Sequence, residues 1–248
     1  MKLCLAGTGG VYDSTKPILK DIPYLLESFY YFRDFQKPLI HNADLFLLDS
    51  GAFTFMNTVK GNVNWNEYID KYISFIKENG VQHYFELDID VIVGYEEVKR
   101  IRAKIERETG VQSIPVWHKS RGVDEFKRLV NDYDYIAIGG FAIKHIKKNE
   151  YPIIKRMVEY AYNKGVKVHG LGFTPKDVTQ YKFYSVDSTT WLGCRRFGRL
   201  FKFDGKRIKE ISRSQNQGTD KSRQKEIEVI TLKEWIKYQK YLNRSCSF

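Results

Sequence analysis

The chain has 248 residues, of which 42% are hydrophobic and 29% are charged, and this excludes a disordered protein, which lacks the apolar residues for a core. The absence of any run of about 18 uncharged apolar residues argues against a membrane-spanning protein, and the first apolar run is too short for a signal peptide. Lys and Arg number 41 against 30 Asp and Glu, a formal net charge of +11. This excess favours a polyanionic partner, above all nucleic acid, although a lysine-rich proteome would give the same balance.

The cysteines and histidines give no metal-binding pattern. Cys4, Cys194 and Cys246 lie far apart, so they form neither a zinc-binding pair nor the framework of a secreted disulfide-rich protein. The five histidines are scattered, and the sequence has no HxxxH or CxxC motif. We therefore expect an intracellular, cytoplasmic protein without a metal site.

Short apolar runs alternate with amphipathic, charged stretches along most of the chain. The runs are Lys2–Ala6, Leu45–Leu48, His83–Leu87, Ser113–Trp117, Tyr135–Ile138, Lys167–Leu171 and Phe183–Val186. Such runs are typical of buried parallel strands. Apolar residues recur at helical spacing in Asn66–Asn79, Tyr95–Thr109, Asp124–Asn131 and Pro152–Asn163. The alternation predicts βαβ units.

Polar residues or glycines follow nearly every predicted strand, which favours a TIM-like (β/α)8 barrel over an open doubly wound sheet. The eighth strand is less obvious; a candidate is Leu200–Phe203, in a predicted hairpin that turns at Asp204-Gly205. Residues 1–211 are thus assigned to a catalytic barrel. Residues 212–248 are assigned to a polar loop or mobile segment up to Glu226, followed by a helix, Leu232–Leu242, that packs on the barrel.

Three aspartates each close an apolar run: Asp49 in LFLLDSGAF, Asp88 in YFELDID and Asp187 in YSVDSTTW. Any one of them could be only the N-cap of a following helix. Three at one barrel mouth predict a shared pocket, in which carboxylates shift each other's pKa and divide acid, base and nucleophile roles. Asp90, two residues after Asp88 on the same side of its strand, is a fourth candidate.

Other residues at the predicted strand ends have both a structural and a functional interpretation. The glycines there are Gly139, Gly140, Gly170 and Gly172. They either let a planar ligand approach the backbone or form tight turns. His118 and His169 are either structural hydrogen-bonding residues or site residues. Arg195, Arg196 and Arg199 either grip phosphates at the mouth or form a solvated basic loop.

In this order the motifs resemble those of the tRNA-guanine transglycosylase family and its phage relatives that act on DNA, which install 7-deazaguanines. The resemblance runs from about Leu45 to Lys209. DSGAF resembles the family's DSGGF, LDID its LDE or LDD, and GGFAI its GGLAV. HGLGFTPKDV resembles MGVGTPEDL, SVDS resembles the nucleophile strand FDC, and GRLFKFDGKRIKE resembles the segment beyond it.

The resemblance implies roles for individual residues. Asp187 would be the nucleophile, Asp49 an acid/base that contacts the base, and Asp88 a reader of the heterocycle. The other implied substrate contacts are Ser50, Phe53, His118, Gly139, Gly140 and Gly172. The reaction would break a C1′–N bond through a covalent Asp-glycosyl intermediate, as in a retaining glycosidase, on a flipped or single-stranded nucleotide and without a cofactor.

Two departures from the family bear on the substrate. The tRNA enzymes carry a zinc subdomain with CxCxxC and His after the barrel, which this sequence lacks, and the strand that ends in Gln-Gly there ends here in Trp117-His118. Both favour the small zinc-free branch, and we expect DNA as the partner and a 7-deazaguanine such as preQ0 as the incoming base. A tRNA substrate, a base-removing N-glycosidase and a nucleic-acid-binding protein with an inactive barrel stay open.

Overall fold

The computed structural model describes residues 1–52, 54, 63–211 and 221–245, and its centre is one curled, parallel sheet. The strands are β1 (Lys2–Ala6), β2 (Tyr24–Ser28), β3 (Leu45–Asp49), β4 (Val116–Trp117), β5 (Tyr135–Ile138), β6 (Lys167–Gly170) and β7 (Ser185–Ser188). Their order across the sheet is β3-β2-β1-β7-β6-β5-β4, a seven-stranded half-barrel. The predicted α/β class with a parallel sheet is confirmed.

The edge strands β3 and β4 both border on the segment 83–86. Leu48 forms a parallel bridge with Tyr84, and Phe85 forms a parallel bridge with Ile114, just before β4. Backbone hydrogen bonds of 2.8–3.1 Å flank the two bridges. The predicted strand run at 83–87 therefore lies between the two edges, but it makes isolated bridges instead of an extended strand.

The structure differs from the predicted strands at two further points. The sequence analysis missed β2, which lies between short 3-10 turns and so lacks the neighbouring amphipathic helices that revealed the other strands. The candidate eighth strand is β8 (Leu200–Phe203), but it pairs antiparallel with β9 (Ile208–Ile211) in a separate two-stranded sheet. The hairpin itself is confirmed, and the Asp204 carboxylate accepts the backbone N–H groups of Lys206 and Arg207 in its turn.

The helices of the described residues are α1 (Leu39–Asn42), α2 (Trp65–Glu78), α3 (Asp90–Val93), α4 (Tyr95–Thr109), α5 (Gly122–Asp132), α6 (Tyr151–Asn163), α7 (Gly193–Phe197) and α8 (Lys221–Ser245). The four helices predicted before β7 are confirmed as α2, α4, α5 and α6. Their apolar faces are buried, as at Ile73 and Ile76 of α2. No helix among the described residues is long and apolar enough to cross a membrane.

The last helix is longer than the sequence predicted. It begins at Lys221, so the end of the polar segment assigned to a loop is helical, while residues 212–220 lie outside the described part. The helix packs on β1 and β8. Gln239, which is buried, donates hydrogen bonds to the carbonyl oxygens of Leu3 (2.7 Å) and Tyr24 (2.8 Å).

Alternate residues of the strands enter two separate apolar clusters, because successive side chains point to opposite faces of a sheet. Leu3, Leu5 and Leu25 join the helices in the larger cluster. The smaller cluster contains Cys4, Ala6, Tyr24, Leu26, Leu45, Leu47, Phe85, Ile114, Val116, Tyr135 and Ala137. It draws residues from β1 to β5 and from the bridged segment, and thus forms the inner face of the curled sheet.

Candidate active site

Asp187 lies in β7 near the carboxyl end of the sheet, opposite Cys4 of β1 in the strand register. Its side chain is 13% exposed. Its Oδ1 atom accepts a 2.7 Å hydrogen bond from the backbone N–H of Gly172, and the Nε2 atom of His169 lies 3.2 Å away. The predicted nucleophile is therefore held by two neighbours through one of its oxygens.

Asp49 is the last residue of β3, and its Oδ2 atom accepts the N–H of Gly51 at 3.0 Å. Gly51 has φ +81°, a conformation that favours glycine and allows the chain to turn back over the carboxylate. The pKa of Asp49 is raised to about 6, chiefly by burial and also by the negative charges of Asp187 and Asp88, while the hydrogen bond from the Gly51 N–H opposes the rise. The charges of the other two predicted aspartates therefore reach Asp49.

Asp88 follows the bridged segment and accepts a charged or polar donor on each oxygen. Its Oδ2 atom lies 2.5 Å from Nε2 of His118, and its Oδ1 atom accepts a 2.7 Å bond from Nη2 of Arg121. Burial opposes protonation of the imidazole, but the hydrogen bond and charge of Asp88 outweigh it and raise the pKa of His118. A Cβ atom at Gly139 would lie 2.5 Å from Cε1 of His118, so only glycine leaves room for this ring.

Arg121 links the acidic residues around Asp88, and sequence reasoning missed it. Its Nη1 atom lies 3.0 Å from Oε1 of Glu86, and its Nη2 atom lies 3.0 Å from Oδ2 of Asp90. Its guanidinium lies over the ring of Tyr95, 4.1 Å from the centroid. The sequence does contain one indication that such a cation is needed. Glu86 lies in the middle of an apolar run, and a fully buried carboxylate requires a cationic partner.

Sequence reasoning named His169 but missed its polar partners on the inner face. Nδ1 of His169 lies 2.5 Å from Oγ of Ser185, which in turn lies 2.5 Å from the hydroxyl of Tyr135. All three residues are buried. Neither Ser185 nor Tyr135 stands out in sequence, because both occur at positions that an apolar residue would also fill.

The other predicted substrate contacts have varied surroundings. Ser50 is buried, and its carbonyl oxygen accepts a 2.6 Å bond from the hydroxyl of Tyr68. Gly140, at φ +95°, follows β5 beside Gly139. Phe53 lies outside the described residues.

The predicted phosphate-binding arginines lie in and after α7. Nε of Arg195 lies 3.2 Å from Oε2 of the buried Glu228 in α8. Nε of Arg199 lies 3.4 Å from Oε1 of Glu210. Arg196 belongs to α7, but its side chain lies outside the described part of the chain. Two of the three arginines therefore have acidic partners within the fold.

No group of three or more His, Cys, Asp or Glu side chains suited to a metal ion occurs among residues 1–52, 54, 63–211 and 221–245. A surface cleft of about 790 Å³ lies along α2, and its lining does not include Asp49, Asp88 or Asp187. Its charged residues pair with neighbours, such as Lys71 with Glu67 at 2.6 Å, which is typical of a solvated helix face.

Comparison with known proteins names no family for this site. No family model matches the sequence, and no curated protein matches it. The chemistry of the residues and their geometry are therefore the basis on which a function is assigned.

Proposed function

We propose that the chain is a base-exchange transglycosylase that replaces guanine in a polynucleotide, DNA rather than tRNA, with a 7-deazaguanine such as preQ0. The observation that carries this proposal is the placement of three aspartates: Asp49 ends β3, Asp187 lies in β7, and Asp88 follows the bridged segment. The negative charges of Asp187 and Asp88 raise the pKa of Asp49, in agreement with this placement. Asp187 accepts two hydrogen bonds through one oxygen, Asp49 has a pKa of about 6, and Asp88 is hydrogen-bonded to the imidazole of His118. Carboxylates divided in this way suit the cleavage and reformation of a glycosidic bond.

The proposal includes a (β/α)8 barrel as the scaffold. The two parallel bridges at Tyr84 and Phe85 support it, because they join both edges of the seven-stranded sheet to the same segment. The inner apolar cluster also supports it, since it takes side chains from this segment as well as from the strands on either side. In such a barrel, Asp49, Asp88 and Asp187 would all open on the carboxyl end, where barrel enzymes bind substrates.

The first half of the reaction forms a covalent intermediate. A carboxylate oxygen of Asp187 bonds to C1′, the C1′–N9 bond breaks, and its electron pair leaves with guanine. Asp49, with a pKa of about 6, delivers a proton to a ring nitrogen of the leaving base. The oxocarbenium-like character at C1′ is stabilised by the carboxylate that captures it.

The second half reverses these steps with a different base. The incoming 7-deazaguanine loses its N9 proton to the Asp49 carboxylate, N9 bonds to C1′, and the bond from C1′ to Asp187 breaks. Two inversions at C1′ restore the β-linkage, and both carboxyl groups return to their starting states. No oxidant, reductant or cofactor is consumed.

We assign reading of the base to His118, with Asp88 as the residue that orients it. Each oxygen of Asp88 is already engaged, by His118 at 2.5 Å and by Arg121 at 2.7 Å. The imidazole of His118 lies against the backbone of Gly139. Its Nε2 atom is engaged by Asp88, so we assign contact with the base to its other ring nitrogen, Nδ1.

The experiment that tests the proposed function uses the full chain, preQ0, and DNA and tRNA substrates that carry labelled guanine. We expect release of guanine together with insertion of preQ0 into DNA. Release without insertion would indicate an N-glycosidase, exchange in tRNA alone would indicate a tRNA enzyme, and binding without release would indicate an inactive barrel. Each of these outcomes would overturn the proposal in the form stated.

Asp187→Ala and Asp187→Asn test the role of the nucleophile. Both variants should lose base exchange and should form no denaturation-resistant adduct with nucleic acid. Alanine offers no nucleophile, and the amide of asparagine, although nearly the same shape as the carboxylate, is a poor one. Folding and nucleic-acid binding should persist. An adduct that maps to Asp49 or Asp88, or an Asp187→Ala protein that still exchanges bases, would contradict this assignment.

A further inference from the structure

The inner face of the sheet contains a column of polar side chains in an otherwise apolar cluster. It begins at Tyr135 in β5, whose hydroxyl lies 2.5 Å from Oγ of Ser185 in β7. It continues from Ser185 to Nδ1 of His169 in β6 at 2.5 Å. It ends where Nε2 of His169 meets Oδ1 of Asp187 at 3.2 Å. Tyr135, Ser185 and His169 are buried, and the side chain of Asp187 is 13% exposed.

The proposed reaction uses Asp187 as an ionised nucleophile, and with a neutral His169 this sets the direction of each hydrogen bond in the column. An ionised carboxylate can only accept, so Nε2 of His169 carries a proton and donates it to Asp187. In the neutral imidazole Nδ1 is then an acceptor, and it takes the hydroxyl proton of Ser185. The Ser185 oxygen in turn accepts the hydroxyl of Tyr135. The column thus holds His169 in one tautomer, and its last donor is directed at one oxygen of Asp187.

Satisfaction of buried polar groups alone does not account for the column. The neighbouring positions of the inner face hold Cys4, Phe85 and Ala137, so apolar side chains fill this space without any polar network. A buried His among such neighbours carries a desolvation cost that an apolar residue avoids. The column ends at the predicted nucleophile, Asp187, whose side chain is 13% exposed.

We propose that His169, held by Ser185 and Tyr135, is a positioning residue that selects which oxygen of Asp187 attacks C1′; this inference rests on the proposed function. His169 and the N–H of Gly172 both donate to Oδ1. Among the described residues none donates to Oδ2 at hydrogen-bond distance, and the proposal assigns the attack on C1′ to this second oxygen. Oδ2 forms the bond to C1′, and Oδ1 becomes the carbonyl oxygen of the ester.

The same two donors serve the second half of the reaction. When N9 of the incoming base attacks C1′, the C1′–Oδ2 bond breaks and its electron pair returns to the carboxylate. Oδ1 keeps both hydrogen bonds throughout, so the carboxylate does not have to rotate between the two halves. When the contacts that fix a reacting group are removed and the group moves by about 1 Å, the rate can fall by up to about 100-fold.

The test compares His169→Leu, which removes the donor, with His169→Gln, whose amide nitrogen can replace Nε2. We expect His169→Leu to slow single-turnover adduct formation with DNA by about 100-fold, with the dissociation constant for preQ0 unchanged. His169→Gln should restore most of the rate. His41→Leu, at an exposed histidine of α1 that lies outside the column, is the matched control and should leave the rate unchanged.

A measurement on the wild type keeps the inference testable even if His169→Leu fails to fold. Nitrogen-15 NMR of the labelled histidines should assign a proton to Nε2 of His169, identified by loss of its signals in His169→Gln. An unprotonated Nε2, or a rate that falls equally in His169→Leu and His169→Gln, would overturn the inference while exchange by the wild type stands. A wild-type protein that forms no adduct would overturn the proposed function itself, and this inference with it.

Discussion

Asp49 is a carboxyl group that the fold holds where a negative charge is unfavourable. Burial raises its pKa to about 6, and neighbouring carboxylates add to the effect. An unfolded Asp has a pKa of about 3.9, so folding favours the protonated form. Its contribution to stability is complete below about pH 4 and is lost as the pH rises through about 6. At neutral pH the charged Asp49 therefore lowers the free energy of unfolding, while its raised pKa allows it to donate and accept a proton.

Replacing this carboxyl by an amide should therefore stabilise the protein only at high pH. We expect Asp49→Asn to raise the free energy of unfolding by about 1–3 kcal/mol at pH 8 and to leave it nearly unchanged at pH 4. Base exchange should be lost in the same variant, because an amide cannot transfer the proton. Urea denaturation at the two pH values measures the first effect, and preQ0 insertion measures the second.

The exposed Asp44, which precedes β3 at the end opposite Asp49, provides a control, because Asp44→Asn removes one charge without touching the site. It should change neither the stability difference between pH 4 and pH 8 nor the exchange rate. Equal stabilisation of Asp49→Asn at both pH values would mean that its carboxyl group is not held in an unfavourable charged state.

At the scale of elements, the turn that follows β4 connects to the acidic segment 86–90. His118 and Arg121, at the two ends of this turn, both bind Asp88, and Arg121 also binds Glu86 and Asp90. Arg121 is nearly fully buried, with 3% of its side chain exposed. A paired, buried guanidinium of this kind gives Asp88 a fixed orientation, and through Asp88 it fixes the ring of His118.

This arrangement predicts that Asp88 and His118 act on the base as a unit. Asp88→Asn and His118→Gln should each weaken preQ0 binding, measured by calorimetry. Because Asp88 acts through His118, Asp88→Asn should add less than about 0.5 kcal/mol when made in the His118→Gln background. Asp90→Asn, which also loses a contact to Arg121, is the control and should have a smaller effect. A full effect of Asp88→Asn in both backgrounds would instead mean that Asp88 contacts the base directly.

The elements also explain what the sequence could predict and what it could not. The helices α2, α4, α5 and α6 follow from their apolar periodicity, which depends only on residues close in sequence. The strand β2 has no such neighbours and was missed, while Leu200–Phe203 is a strand whose partner, β9, lies outside the parallel sheet. Pairing between strands depends on contacts that a local pattern does not contain.

The same distinction separates the site residues that the sequence could predict from those that it could not. Asp49, Asp88 and Asp187 could be predicted because each closes an apolar run, where a charge is conspicuous. Arg121 and Ser185 could not, because their importance comes from contacts with residues far away in the chain: Arg121 reaches Glu86, and Ser185 reaches Tyr135 across the sheet.

At the scale of the whole molecule, the net charge of +11 is the main feature that bears on a polyanionic partner. Part of this charge is committed within the fold. Arg195 is paired with the buried Glu228, and Arg199 is paired with Glu210. A cation that already has an acidic partner neutralises less of a phosphate's charge than an unpaired one, so Arg195 and Arg199 should each contribute less than one full phosphate contact to binding.

We predict that affinity for DNA falls steeply as salt rises, with a linear dependence of log K on log salt concentration. Arg196→Ala should flatten this slope by about 0.9 for duplex DNA or about 0.7 for a single strand, the value for one lost phosphate contact. Arg195→Ala is the matched variant: it should change the slope less and lower stability more, because it leaves Glu228 buried beside Tyr12 without its cation. Fluorescence anisotropy over a series of salt concentrations measures both slopes. Binding that does not respond to salt, or an Arg196→Ala slope equal to that of the wild type, would mean that these arginines do not contact the phosphates.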